Sequence, residues 1–367
     1  MRRPIDLATL YQSWPPSPLQ DVQDGWLARR GVELRLKRDD LIHQWLSGAA
    51  GAHAPVDLYP PGNKWRKLGP NLRAAVEGGH TRLLTFGGAY SNHIRAVAAA
   101  GAAYGLSTVG VIRGDELAGA PRNWSLARAE AHGMELAFVS RSAYRQTLRG
   151  LSEDDPGTLR ALEERWGRAY VLPEGGTNVL AARGAAELVA ELPDLADPGP
   201  GDVVCCAVGT GGTLAGIAAA LPAGARAVGF AVLKGAEGYL DGEVAALHER
   251  GWGRAFGNWR IEHGYHGGGY GRVPAELETF AARFEERHGV RVERRYVAKL
   301  LWGVYGLVER GELAPGSRVT AVITGPPDPV GSVGSVGSEG SVGSEGSEGS
   351  VGSEGGAVLP PGSAAPW

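Results

Sequence analysis

The chain is poor in cysteine and in lysine, and each scarcity narrows its reading. Its two cysteines, Cys205 and Cys206, stand side by side in an apolar run. That spacing gives neither a disulfide framework nor a set of metal ligands, and a reducing compartment suits it best. Only five of the 37 basic residues are lysine: Lys37, Lys64, Lys67, Lys234 and Lys299. In so arginine-rich a sequence, a retained lysine asks what arginine could not do there; an amine forms a Schiff base and a guanidinium does not. A surplus of one charge is also lacking. The formal net charge is -3, and four of the acids, Glu339, Glu345, Glu348 and Glu354, lie beyond Val330, so the remainder is close to neutral. Nothing in that balance draws the chain to nucleic acid or to an anionic membrane surface. The opening MRRPIDLATLYQSWPP has no apolar core of a secretory signal, and a cytoplasmic protein is expected. The stretch from Val203 to Ala225 carries no charge, yet GTGGT at its middle and Pro222 near its end suit a strand, a loop and a helix better than a membrane span.

Glycine, by contrast, is plentiful. Of the 58 glycines, eleven follow Val330, and the rest still make about twice the usual share of ~7%. Tight turns and close approach of backbone to a ligand are the physical uses of such an excess. With 367 residues and 43% hydrophobic side chains, the chain has material for two domains. From Thr81, short β-rich runs alternate with helical patterns: RLLTF, SNHIRAVAAAGAAYG, STVGVI, PRNWSLARAEAHG, MELAFV. A second alternation starts at Asp202 with DVVCCAV, passes a helix after GTGGT, then RAVGFAVL and a helix near Glu243 to Glu249. It closes with a helix from about Tyr296 to Val308 and the strand RVTAVIT. Both read as parallel α/β units, joined around Leu172 to Asn178. From Gly331 to Gly355 a Val/Glu-Gly-Ser repeat of period three lacks the proline of a collagen helix and predicts a flexible, solvated tail.

Four features carry possible chemistry. Lys64 and Lys67 lie together in PPGNKWRKLGPNL, either as a plain basic helix start or as an amine site. VGTGGTLAG, Val208 to Gly216, follows a strand and precedes a helix; its glycines, its Thr210 and Thr213 hydroxyls and the helix N-terminus suit a phosphate cup. It is neither the Walker pattern nor a clean dinucleotide fingerprint. FGGAYSNH, Phe86 to His93, repeats the strand-turn-helix arrangement, with Ser91 or Asn92 as an ordinary helix cap at least in part. EHGYHGGGYGR, Glu262 to Arg272, brings His263 and His266 beside Glu262 without a third ligand in a recognised spacing; a substrate-side loop carrying Tyr265 and Tyr270 is preferred to a metal site. A reactive lysine, a phosphate cup and polar groups at strand ends together suggest pyridoxal 5'-phosphate.

With KRDDLIH, GNKWRKL, GGAYSNHIRA, PEGGTN, VGTGGTLAG, YHGGGYG and RRYVAKLLWG in this order, the chain resembles the fold type II pyridoxal-phosphate enzymes of the 1-aminocyclopropane-1-carboxylate deaminase and D-cysteine desulfhydrase family. The resemblance implies an α/β protein of two open parallel-sheet domains, tryptophan synthase beta-like, with the cofactor in the cleft between them. The larger domain would comprise residues 1–69 and 176–330, the smaller 70–175, and the tail 331–367. It further implies that Lys64 binds the cofactor covalently and shuttles the α-proton, and that Asn63, Lys67 and Thr210, Gly211, Gly212 and Thr213 hold the phosphate. Asn92 would meet the phenolic oxygen, Tyr296 would pack on the ring, and Tyr270 would approach the substrate. Ser91 would relay a proton, and Thr324 would lie at the ring nitrogen.

The sequence departs from the family in four places. Val297 stands where the deaminases proper carry glutamate, Tyr90 stands where a substrate-contacting glutamine is common, Ser47 to Pro61 reads as an insertion, and Thr-Gly-Pro-Pro replaces the usual close. The expected activity is α,β-elimination from a small amino acid of the D-cysteine type, giving a 2-oxo acid, ammonia and sulfide. The alternatives are 1-aminocyclopropane-1-carboxylate deamination and, from another class, a non-catalytic phosphometabolite-binding protein. A homodimer is what the family implies; no metal, nucleic acid or membrane partner is expected.

Overall fold

The computed structural model describes residues 16–42 and 62–327. All but Pro16 of the opening stretch read for a signal, the whole of the expected insertion at Ser47–Pro61 and the repeat tail lie outside them. Leu19–Val22 (β1) and Glu33–Lys37 (β2) pair antiparallel around the short helix Gly25–Ala28 (α1). Lys64–Glu77 (α2) leads to Arg82–Gly87 (β3), Asn92–Tyr104 (α3), Ser107–Arg113 (β4), Trp124–Ala131 (α4) and Glu135–Val139 (β5). Arg141–Ser152 (α5), Pro156–Trp166 (α6), Tyr170–Leu172 (β6) and Val179–Ala190 (α7) follow. The chain then runs through Asp202–Val208 (β7), Gly212–Ala220 (α8), Arg226–Ala231 (β8), Tyr239–Trp252 (α9), Trp259–Glu262 (β9), Ala275–His288 (α10), Val297–Glu309 (α11) and Arg318–Val322 (β10).

These strands make two sheets. One has the order β5-β4-β3-β6 and is parallel throughout. The other has the order β1-β2-β10-β7-β8-β9 and is parallel except at β1–β2. The alternations read from Thr81 and from Asp202 are both present. They do not foretell β2, which joins the second sheet beside β10, nor the three-residue β6, which lies beside β3. The charge-free run from Val203 is a strand, a turn and a nine-residue helix. Among the described residues no helix is long and apolar enough to cross a membrane.

All seven residues of β7 are buried, as a central strand covered by helices on both faces requires. Cys205 and Cys206 point to opposite faces of it. Burial raises both thiols, Cys206 to about 12, and keeps them protonated and inert.

Small residues let three helices pack closely under the site. Gly184 of α7 faces the Arg66 carbonyl so closely that a Cβ would stand 2.1 Å from its oxygen. Pro70 in α2 has no N–H to offer that carbonyl, which leaves it free for this approach. Gly216 of α8 meets the Ala182 carbonyl of α7 at the same 2.1 Å. The helix that starts with Lys64 is thereby locked, through α7, to the helix that follows the glycine cup.

Candidate active site

The lysine motif begins against the end of β10. Gly62 has φ +66°, and a Cβ there would fall 2.1 Å from the Thr324 carbonyl oxygen, so only glycine passes. The next N–H, of Asn63, donates to that same carbonyl at 2.9 Å. Lys64 then opens α2, and Lys67 lies one turn further on the same face. Both reach the loop before α7: Lys64 Nζ donates to the Gly175 carbonyl at 3.3 Å, and Lys67 Nζ donates to it at 2.8 Å and to Thr177 Oγ1 at 3.0 Å. Gly175 and Gly176 have φ +67° and +65°; a Cβ on Gly176 would meet the His93 ring at 2.6 Å.

The partners of the two amines are a carbonyl and a hydroxyl, neither of which carries charge. Burial therefore lowers the Lys64 amine to about 8. Burial, and then the Lys64 charge beside it, takes Lys67 well below the ordinary amine range. Lys67 is buried, whereas Lys64 is half-buried and faces the cavity. His93, also buried, exchanges a 2.7 Å hydrogen bond with Thr85 Oγ1 and is held neutral by burial and by the two lysines.

The cup lies across from them. After β7 the chain turns at Gly211, φ +79°, into α8. Thr210 and Thr177 share a 2.5 Å hydroxyl contact, and Asn63 Nδ2 donates to Thr213 Oγ1 at 3.2 Å. A Cβ on Gly212 would approach Thr177 Cγ2 at 3.1 Å and Lys67 Nζ at 3.4 Å, so the cup, the lysine helix and the 175–177 loop converge. The first turn of α8 leaves N–H groups and the positive end of a dipole at the same place.

Ser91 is the N-cap of α3, its Oγ accepting from the Ile94 N–H at 3.3 Å. Asn92 gives its side-chain oxygen to Arg95, which also donates to Ser125 Oγ at 2.8 Å and lies 4.2 Å over the Trp124 ring. Tyr296 sits at the N-cap of α11, its N–H donating to Glu293 Oε2 at 2.7 Å. Its ring passes so near Gly209 that a Cβ there would be 3.2 Å from Cε1. The Tyr270 ring meets it edge-on, centroids 5.8 Å apart at 69°. Burial, then Tyr270, raises the Tyr296 phenol well above its usual range.

Asn63, Lys64, Lys67, Ser91, Asn92, Thr210, Gly211, Gly212, Thr213, Tyr270, Tyr296 and Thr324 all line one cavity of about 980 Å³. It opens at the carboxyl ends of β3, β4, β7, β8 and β10, drawn from both sheets, where α/β proteins place ligands. Three residues singled out in the sequence are elsewhere. Tyr265 is buried in the core against Phe230 and Trp302. Tyr90 lies under the Arg295 guanidinium, 5.2 Å from its ring centroid, and does not line the cavity. Val297 is fully buried in the core behind Tyr296, so position 297 offers the cavity no group. His263 pairs with Asp241 at 2.9 Å, while His266 Nδ1 accepts from the Gly268 N–H at 2.9 Å.

Sequence reasoning missed Glu174 and Tyr144. Tyr144 Oη donates to Glu174 Oε1 at 2.9 Å, and both line the cavity with Arg113 and Arg145. Glu174 had a signal, its place in PEGGTN; Tyr144 had none, because it arrives from α5 only when that helix packs.

Residues 61–325 match a family described as pyridoxal-phosphate dependent enzyme. The chain belongs to that family. It is 29% identical over 307 residues to a Thermotoga maritima protein provisionally named 1-aminocyclopropane-1-carboxylate deaminase, covering 82% of this chain and 91% of that one. An Arabidopsis thaliana protein named bifunctional D-cysteine desulfhydrase/1-aminocyclopropane-1-carboxylate deaminase, mitochondrial, is 27% identical over 321 residues, 82% of this chain and 74% of its own. Among solved structures, that of an ACC deaminase homologue superposes with TM-score 0.67 at 24% identity, covering 88% of this chain and 95% of that one. The fold is thus that of the fold type II pyridoxal-phosphate enzymes, and pyridoxal phosphate is the cofactor.

The residues present fit that group. Half-buried Lys64 and buried Lys67 donate to a carbonyl and a hydroxyl and to no carboxylate, so a bound phosphate would supply the counter-charge that favours their protonated forms. The cup at Gly211 and Gly212 has no room for side chains where an anion would approach the backbone. The half-buried Lys64 amine, lowered to about 8, is the group that can be neutral, and so nucleophilic, near physiological pH.

Proposed function

We propose that the protein is a lyase for a small amino acid, catalysing α,β-elimination of the D-cysteine type: D-cysteine and water give pyruvate, ammonia and hydrogen sulfide. The observation that carries this reading is the Lys64 amine on the wall of the cavity that the Thr210 to Thr213 loop and the two tyrosines also line. The names of the relatives support the substrate class.

In this reading Lys64 holds the cofactor covalently, Thr210 to Thr213, Asn63 and Lys67 hold its phosphate, and Asn92, oriented by Arg95, meets its phenolic oxygen. Bound there, the cofactor supplies an electron sink conjugated to the substrate α-carbon. Tyr296, which lines the cavity beside Gly209, would pack against the cofactor ring. Lys64 Nζ would also hold the α-proton, and its lowered pKa keeps part of the amine unprotonated for that purpose. Ser91 Oγ is the second hydroxyl able to pass a proton, and Tyr270 bounds the substrate side and limits water. Thr324, which lines the same cavity, would offer the ring nitrogen a neutral hydroxyl and not a carboxylate, and the weaker electron sink that results would suit loss of a good leaving group such as hydrogen sulfide. Ring opening of 1-aminocyclopropane-1-carboxylate stays second, because position 297 places no carboxylate in the cavity. The reading extends to a homodimer in the cytoplasm, supported by the reduced, buried cysteines and by family resemblance; sizing by light scattering checks the dimer.

The test is the visible spectrum of the purified protein with D-cysteine, L-cysteine or the cyclopropane amino acid added separately, with pyruvate and sulfide assayed. A band that shifts with D-cysteine while both products appear is the expected result. Turnover of the cyclopropane amino acid alone would replace elimination by deamination.

A further inference from the structure

We infer that Lys299 is a positioning residue: its buried side-chain amine clamps the glycine loop of residues 266–272 and thereby fixes Tyr270 over the cavity. The inference rests on the reading of that cavity as the cofactor and substrate site.

Lys299 follows Tyr296 by one turn of α11 and is fully buried. Its Nζ donates to the Gly269 carbonyl at 2.8 Å, with the Val232 carbonyl, just past β8, at 3.5 Å. Each acceptor is followed in the chain by a residue of the cavity wall, Tyr270 and Leu233. Beyond that, the Tyr270 ring packs edge-on against Tyr296. Gly267, Gly268, Gly269 and Gly271 all have positive φ, and the loop's internal bonds run from the Gly269 N–H to the His266 carbonyl at 3.1 Å, from the Arg272 N–H to the Gly269 carbonyl at 3.2 Å and from the Gly268 N–H to His266 Nδ1. Glycines lose the most conformational freedom on ordering, so a loop of this composition needs an external tether to keep one shape.

The amine in turn needs the loop, because a buried ammonium without hydrogen-bond partners is too costly to keep. Burial lowers it to about 8, with Glu293 acting to raise it and Arg295 to lower it; His266 on the loop is the titratable group facing it from the other side. One helix start therefore sets both tyrosines, Tyr296 through the backbone and Tyr270 through Lys299. This also answers why arginine does not serve here. A compact ammonium on a thin stem meets carbonyls from two directions in a dry core, whereas a planar fork calls for a broad, flat acceptor.

The experiment compares the cofactor-loaded parent with Lys299→Met, similar in length but without donors, and reads amide hydrogen exchange and turnover together. Exchange is expected to quicken in residues 266–272 while the core strands stay protected. The kcat/KM should fall about 10- to 100-fold, the scale of a lost charged hydrogen bond, with the cofactor band retained. In the double variant with Tyr270→Ala, kcat/KM should fall no lower than in Tyr270→Ala alone. Should Lys299→Met not fold, Lys299→Ala with added n-propylammonium takes its place, and restored turnover supports the clamp. Unchanged loop exchange, losses that multiply in the double variant, or no rescue by the amine would overturn it. A Tyr270→Ala enzyme of full activity would instead remove Tyr270 from the substrate side; the loop exchange of Lys299→Met would then still decide the clamp.

Discussion

Arg66 and Lys67 are neighbours on one helix and both are buried, yet their electrostatic surroundings are opposite. Arg66 donates to Asp39 through Nε and Nη2 at 2.9 and 2.8 Å and to Glu191 through Nη1 and Nη2 at 2.6 and 2.8 Å. Lys37 completes the cluster, 2.6 Å from Glu191 and donating to the Ser17 carbonyl at 2.6 Å, while Ser17 Oγ donates to Asp39 at 2.6 Å. Two cations face two carboxylates, and the paired charges leave the cluster no call for a ligand. On the other side of the same turn, Lys64 and Lys67 share one carbonyl and a hydroxyl. Two like charges donating to one carbonyl repel, so this half is complete only when one amine is neutral or an anion arrives. The first region anchors the helix, and the second is where the proposed chemistry would sit. Burial of a charge is common to both, and only the presence of partners separates structure from function.

The comparison breaks most visibly if Lys64 is removed. Lys64→Ala is expected to lower turnover at least ~10³-fold, as loss of a nucleophile and proton carrier does, without lowering the melting temperature. A steady-state assay finding it within tenfold of the parent would end the assignment. On the balanced side, Asp39→Asn leaves Arg66 and Lys37 against Glu191 alone. It should cost about 3–5 kcal/mol of stability, the scale for breaking a buried pair, measured from urea midpoints. A cost under ~1 kcal/mol would mean the cluster does not anchor the helix.

The pH dependence of the two sides sharpens the contrast. In the cofactor-free protein, Lys64 titrates near 8 when folded, against ~10.4 in an unfolded chain. Between those values the unfolded state binds more protons than the native one, so this residue makes stability rise with pH across that window and fall as pH drops through it. Lys64→Met should flatten that slope in unfolding measurements made at pH 8 to 10; an unchanged slope would mean the amine is not held in its neutral form. The smallest effect is expected from Thr177→Val, which takes a neutral partner from Lys67 at a cost of ~1 kcal/mol. Cofactor retention, followed by dialysis, should weaken about fivefold, and no change would place the hydroxyl outside the phosphate site.

Much of the site is legible in the amino-acid sequence. Lys64 and Lys67 stand out together because lysine is rare here, with only the family resemblance choosing between them, and the cup stands out because glycine and threonine between a strand and a helix have a local backbone reason to be there. Tyr90, Val297 and Tyr265 show the limit of motif proximity. Each is within a few residues of a cavity residue, but a helix or a glycine turn rotates the neighbouring side chain away, and Tyr265 and Val297 go to the core instead. The three-residue β6 carries too little hydrophobic pattern to be read as a strand, whereas β2 does alternate, with Leu34 and Leu36 buried, but lies outside the two α/β runs.

The sequence by itself determined the α/β alternation and the glycine turn of the cup, because each is set by local periodicity or by backbone freedom at single residues. Only the tertiary structure decided which buried cation is balanced. Arg66 finds Glu191 125 residues away, and Lys67 finds the Gly175 carbonyl 108 residues away. No repeat or spacing in the chain encodes such meetings; they follow from two parallel sheets turning their carboxyl ends toward one cavity.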